Sequence, residues 1–171
     1  MRRCALFVLA STTMLLSSSL FAQFVQQGPK LVGTGAVGNA FQGYSTALSA
    51  DGSTAIFGGI ADDTRAGGVW VFTRTNGVWN QQGSKLVGLN AIGAAFQGFS
   101  VALSADGNTA IVGGPSDNGT SPTSIGAAWI FVRSGSTWIN QAKLVGMGGV
   151  GSNQLQGRSV AISADGSTAI M

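Results

Sequence analysis

The sequence predicts an all-β protein made of four-stranded antiparallel sheets, arranged as the blades of a β-propeller. Three observations lead there. A block of about 55 residues is written twice in full and begins a third time, over residues 24–78, 79–137 and 138–171. Two anchors recur in every copy. Ser-Ala-Asp-Gly stands at Ser49–Gly52, Ser104–Gly107 and Ser163–Gly166, and Lys-Leu-Val-Gly at Lys30–Gly33, Lys85–Gly88 and Lys143–Gly146. Between the anchors, short apolar runs alternate with tight-turn residues, and no stretch after the first 22 residues has helical periodicity. A parallel β-helix would need shorter coils. A β-sandwich would not repeat its sequence so faithfully.

The elements follow in order. Arg2 and Arg3 precede an uncharged apolar run, Ala5 to Leu20, and Ala22 offers a small residue before Gln23. This is the pattern of a secretory signal over residues 1–22. The run falls short of the ~20 residues a membrane span requires. The repeats then fill residues 23–171, and the protein is expected outside the cytoplasm, in a periplasm or at a cell surface. In copy one the strands are expected at Tyr44–Ala50, Thr54–Gly58, Gly68–Arg74 and Val78–Val87. In copy two Phe99–Ser104 alternates larger and smaller side chains. Asp106-Gly107 then turns the chain into the apolar run Thr109–Val112. Gly113-Gly114-Pro115 ends that strand, because proline cannot donate to a ladder. A polar loop covers Ser116–Ile125. A third strand, Ala127–Arg133, carries Trp129 and Phe131, and Trp138 opens a fourth strand towards Val145. The third copy stops inside its second strand, at Met171. Propellers close with about 4–8 blades. The chain is therefore expected to be a piece of a larger propeller, about two complete blades and a partial third, with uncovered end sheets that invite self-association.

Composition removes several functions. Without Arg2 and Arg3, the nine Lys and Arg become seven, against six aspartates, a net charge of +1. The seven are dispersed, which is not a nucleic-acid footprint. Cys4 lies in the signal, so no disulfide is expected. Residues 23–171 contain no His, Cys or Glu. Ser-His-Asp and Cys-His nucleophilic sites and His/Cys zinc sites are thereby excluded from them, and no catalytic, cofactor or metal residue is assigned.

Four constellations remain. Asp51, Asp106 and Asp165 recur at one hairpin turn, where identical placement predicts turn formation. Asp62-Asp63 and its counterpart Asp117-Asn118 hold the other carboxylates; there the six to eight oxygens of a calcium site could be gathered only with much help from backbone and water, and calcium is not expected. Gly33-Thr34-Gly35-Ala36-Val37-Gly38 matches Gly-x-Gly-x-x-Gly, but no helix follows and no βαβ unit surrounds it. It reads as a connection between blades. Trp70, Trp79, Trp129 and Trp138 could stack on sugars, but their fixed positions in the repeat predict core packing.

The repeat resembles the FG-GAP repeat, the blade unit of the integrin α-subunit head and of many bacterial secreted proteins. The resemblance rests on Phe41-Gln42-Gly43-Tyr44-Ser45 and Phe96-Gln97-Gly98-Phe99-Ser100 at the opening. Gly58-Gly59-Ile60 and Gly113-Gly114-Pro115 stand at the close. The aromatic third strands Val69–Phe72 and Ala128–Phe131 are similar to the bacterial form. In copy three the opening is Leu155-Gln156-Gly157-Arg158-Ser159. The Asp-x-Asp-x-Asp-Gly calcium loop of some members is absent: Ser49–Gly52 supplies one carboxylate. Kelch repeats are the runner-up, through Gly58-Gly59, Phe72 and Trp79. The resemblance implies four-stranded blades and a non-catalytic scaffold that recognises proteins or glycans. The alternatives are part of a larger secreted enzyme, or a purely structural surface protein.

Overall fold

The computed structural model describes residues 25–119, 124–151 and 153–171; the expected signal segment lies outside them. The chain forms two four-stranded antiparallel sheets and a two-stranded third. Sheet one orders β1 (Gln42–Leu48), β2 (Thr54–Gly59), β3 (Gly68–Thr75) and β4 (Val78–Gln81). Sheet two orders β5 (Ser100–Leu103), β6 (Thr109–Gly114), β7 (Ala127–Ser134) and β8 (Thr137–Leu144). The third pairs β9 (Ala161–Ile162) with β10 (Ala169–Ile170). Each strand lies beside its sequence neighbour, as short turns dictate. The fold is all-β. The described residues form no closed barrel or propeller.

The register of sheets one and two is the same. Phe57 pairs with Trp70 and Val112 with Trp129; Ala55 pairs with Phe72 and Ala110 with Phe131. Ladder partners share a face. Thr46, Phe57, Trp70 and Phe72 thus lie on one face of sheet one, and Ala47, Ile56, Val69 and Val71 on the other. The second face meets sheet two. Ile56, Val69 and Val71 form one core with Ala110, Val112, Trp129, Phe131 and Trp138. Fully burying side chains of this size stabilises by about 1.5–3 kcal/mol each, so this interface is the main apolar contact among the described residues. The first face of sheet one carries a smaller cluster of Ala40, Phe57, Trp70 and Phe72.

The hairpin at each β1–β2 type turn is fixed by its own side chains. Ser49 Oγ donates to Asp51 Oδ1 at 2.6 Å and accepts from the Thr54 amide at 2.9 Å. Asp51 also accepts from the Ser53 amide and hydroxyl. Ser104–Asp106–Asn108 and Ser163–Asp165–Ser167 repeat the arrangement. Gly52, Gly107 and Gly166 all sit at φ near +70°, which only glycine adopts without strain. Backbone bonds then join consecutive hairpins: Ala50 N–H donates to Ala105 O, and Ala105 N–H to Ala164 O, both at 2.9 Å.

Two expectations need correction. The fourth strand of copy one was expected to run to Val87, but β4 ends at Gln81. The chain leaving β4 holds one extra residue, Gln82-Gly83-Ser84-Lys85 against Gln141-Ala142-Lys143. Sheet two absorbs its irregularity as a bulge between Ile130 and Phe131. Sheet one loops out at Gly83, φ +75°, and rejoins as a single bridge between Val69 and Leu86. The second correction is α1, Asp62–Arg65, where no helix was expected. It is one turn, with left-handed dihedrals at Asp63 and Thr64. The buried side chain of Asp62 holds it there.

Candidate functional site

The two ends of the sheets differ. One end carries the short hairpins. The other carries every long connection: the β2–β3 and β6–β7 loops, and the linkers that enter each first strand. This long-loop end is where unlike residues could be presented by a rigid frame.

A glutamine builds the base of each linker. Gln42 Oε1 accepts from Gly33 N–H, and its Nε2 donates to Gly33 O, both at 2.8 Å. Gln97 does the same to Gly88, at 2.5 and 3.3 Å, and Gln156 to Gly146, at 2.6 and 3.1 Å. The side-chain amide acts as one rung of a β-ladder. The clamped glycine lies against an indole. A Cβ on Gly33 would come 2.1 Å from Trp70, and one on Gly88 2.3 Å from Trp129. Those indoles donate to the next linker carbonyls, Trp70 to Thr34 O at 2.7 Å and Trp129 to Leu89 O at 2.8 Å. Trp70 and Trp129 are fully buried and Trp138 is buried. None of these three presents a face for sugar stacking; Trp79 is half-buried under Arg74, whose guanidinium lies 5.5 Å from its ring centre.

An aspartate braces the rest. Asp62 and Asp117 are fully buried. Asp62 Oδ1 accepts from Val37 N–H at 2.7 Å, and Oδ2 accepts from Lys85 Nζ. Asp117 Oδ1 accepts from Ile92 N–H at 2.8 Å, and Oδ2 pairs with Lys143 at 2.6 Å. Each carboxylate thus ties three segments: its own loop, the linker before the sheet and the lysine after it. A buried carboxylate is tolerable only with such partners. The lysine of the Lys-Leu-Val-Gly anchor serves the sheet behind it and the glycine serves the sheet ahead.

The braced linkers expose one branched apolar side chain each. Val37, Ile92 and Val150 occupy equivalent loop positions and are all exposed. The amides of Val37 and Ile92 are those held by the buried aspartates, so these tips stand on fixed backbone. Beside them, Arg65 lies 5.8 Å from the Phe96 ring centre, and its carbonyl accepts from Phe96 N–H.

The residues singled out in the sequence fall in three places. Asp51, Asp106 and Asp165 are at the hairpin end, away from the long loops. The hydroxyls of Ser49 and Ser163 hold the Asp51 and Asp165 carboxyls down at about 2, and that of Ser104 lowers Asp106. Gly33–Gly38 is a linker. Asp62 and Asp117 are at the long-loop end but already engaged. No group of three or more His, Cys, Asp or Glu gathers among the described residues. The glutamine clamp and the Asp–Lys brace went unread in the sequence, although Gln42, Gln97 and Gln156 recur in step. No helix among the described residues is long and apolar enough to cross a membrane.

A scan against protein-family models finds no match, and a search of curated proteins finds none either.

Proposed function

We propose that the chain is a run of FG-GAP-like β-propeller blades, exported from the cytoplasm, that serves as a non-catalytic scaffold for recognising proteins or glycans. The observation that carries this reading is the contrast between the two ends. The hairpin end is nearly identical in every repeat. The long-loop end joins β2 to β3 and β6 to β7 by segments of unequal length, residues 60–67 against 115–126, beside braced linkers that expose Val37 and Ile92. Rigid frames with unequal loops at one end are how repeat folds build binding surfaces. The carboxylates support a non-catalytic role: five of the six are spent on turns or on buried ion pairs.

The test is a screen of the immobilised protein against a glycan array and a panel of extracellular proteins. A variant with residues 116–125 replaced by residues 61–66 should lose the interaction and keep its melting temperature. Binding unchanged by that exchange, or by Val37→Ser with Ile92→Ser, would place recognition elsewhere and sink the proposal. Turnover of any arrayed glycan would do so too.

A further inference from the structure

We propose that the openings of the sheets form a binding site for an acidic glycan, with Tyr44 and Phe99 under the apolar face of a pyranose ring and Arg158 on its charged group. The proposal rests on the reading of the chain as a recognition scaffold and names the ligand class. The openings are Phe41-Gln42-Gly43-Tyr44-Ser45, Phe96-Gln97-Gly98-Phe99-Ser100 and Leu155-Gln156-Gly157-Arg158-Ser159. Their frame is committed to structure. The glutamine clamps the linker glycine. The serine ties its opening to the next: Ser45 Oγ donates to Gly98 O at 2.7 Å and Ser100 Oγ to Gly157 O at 2.8 Å. Only the fourth position changes its chemistry from copy to copy, as Tyr44, Phe99 and Arg158.

The side chains at that position meet in a row. The rings of Tyr44 and Phe99 lie 5.1 Å apart, centre to centre, tilted by 50°, and the Arg158 guanidinium lies 5.8 Å from the centre of the Phe99 ring. Tyr44 is 50 % exposed, Phe99 is half-buried and Arg158 is exposed, so the row is open to a ligand. Its backbone is held under strain. Phe41, Phe96 and Leu155 have φ between +51° and +56°, a left-handed conformation that bulky residues rarely take. Phe99 N–H donates to Phe96 O and Arg158 N–H to Leu155 O, both at 3.1 Å, which closes the turns. Strain of this kind persists where the surroundings over-determine a geometry, and it gathers at ligand sites.

Charge names the ligand. All six aspartates lie among the described residues, and none pairs with Arg158. Asp51, Asp106 and Asp165 serve the hairpin turns at the other end, and Asp62 and Asp117 hold Lys85 and Lys143. Asp63 is exposed and in no ion pair among the described residues. Contact with a ring gives Arg158 no acceptor oxygen, and its planar fork of N–H donors suits an oxyanion such as a carboxylate or a sulfate. A pair of rings beside a guanidinium offers an apolar face and a positive charge side by side, the complement of a sugar acid. An acidic peptide is steered by clustered basic residues, whereas the seven cations of residues 23–171 are dispersed.

The experiment is calorimetric titration of the full chain with an oligogalacturonate, its neutral methyl ester and a sulfated galactan oligomer. A charged oligomer should bind more tightly than the ester, and added salt should weaken it. If only one of the two charged oligomers binds, it names the charged group. Arg158→Gln should lower the affinity for that oligomer by about tenfold or more, to that of the ester. Phe99→Leu should weaken the charged oligomer and the ester alike. Tyr44→Ala, at a more exposed site, repeats that test if Phe99→Leu misfolds. Equal binding of charged and neutral oligomers, or Arg158→Gln that binds like wild type, overturns the inference. So does an aspartate-rich peptide that binds more tightly than every sugar. A chain that captures neutral glycans or proteins in the array screen but neither charged oligomer overturns it too, and leaves the scaffold reading standing. Silence in both assays sinks both.

Discussion

The glutamine clamp offers one chemistry at three depths, and its removal should cost in proportion to burial. Gln97→Ala removes two hydrogen bonds to Gly88 from a fully buried side chain. Gly88 is itself buried, so water cannot replace either bond. A buried group left without a partner costs about 1–3 kcal/mol, and two such groups together cost about 4 kcal/mol. Gln42→Ala breaks the same pair of bonds from a half-buried side chain. Gly33 is buried but the linker around it is exposed, and the expected cost is about 2 kcal/mol. Gln156→Ala frees the exposed Gly146, whose groups can turn to water, for about 1 kcal/mol. Urea unfolding followed by tryptophan fluorescence measures all three, with the change taken from the midpoint at constant slope. The order Gln97, Gln42, Gln156 is the prediction. Equal costs at the three sites, or a larger loss at Gln156 than at Gln97, would refute the reasoning that burial sets the worth of the clamp.

Asp117→Ala should destabilise by about 3–5 kcal/mol, because Lys143 and the Ile92 amide lose their buried acceptor. Adding Lys143→Met should recover part of that loss in the same urea assay. Acid should weaken the hairpins. The carboxyls of Asp51, Asp106 and Asp165 are depressed in the folded chain, so it binds fewer protons than the unfolded chain between them. Their contribution is full above the unfolded value near 3.9 and drains away as pH falls towards 2. A urea midpoint that stays flat from pH 5 to 2, or that rises, would contradict this. Calcium should leave the melting temperature unchanged, because Asp62 and Asp117 already hold a lysine and an amide; a chelator-sensitive shift would show a site that these contacts do not reveal.

The strands were legible because their signals are local. Asp-Gly turns, short apolar runs and aromatic third strands each speak within ten residues; β2, β3 and β7 fall within a residue of their expected places, while β6 runs on through Gly113 and Gly114, which were expected to end it. The misreadings come from relations between distant residues. Gln82 to Lys85 looks like strand until its extra residue is set against Gln141 to Lys143. Asp62 looks like a loop carboxylate until Val37 and Lys85, which flank it by more than 20 residues, are brought to it. The exposed tips at Val37, Ile92 and Val150 share a sequence position. Nothing in the composition says that they stand outside while Val69 and Val71 lie within.

The final strand of each sheet is spelled at the start of the following copy: Trp79 opens the second block yet lies in sheet one, and Trp138 opens the third yet lies in sheet two. Modules so interleaved can be excised without a scar. Deleting residues 79–137 would splice Val78 to Trp138, and β3 would receive a fourth strand with its indole in the position Trp79 leaves. The seam would fall inside a hairpin whose two halves already share one register, so the length of the chain can change by a whole copy while sheet one keeps its four strands.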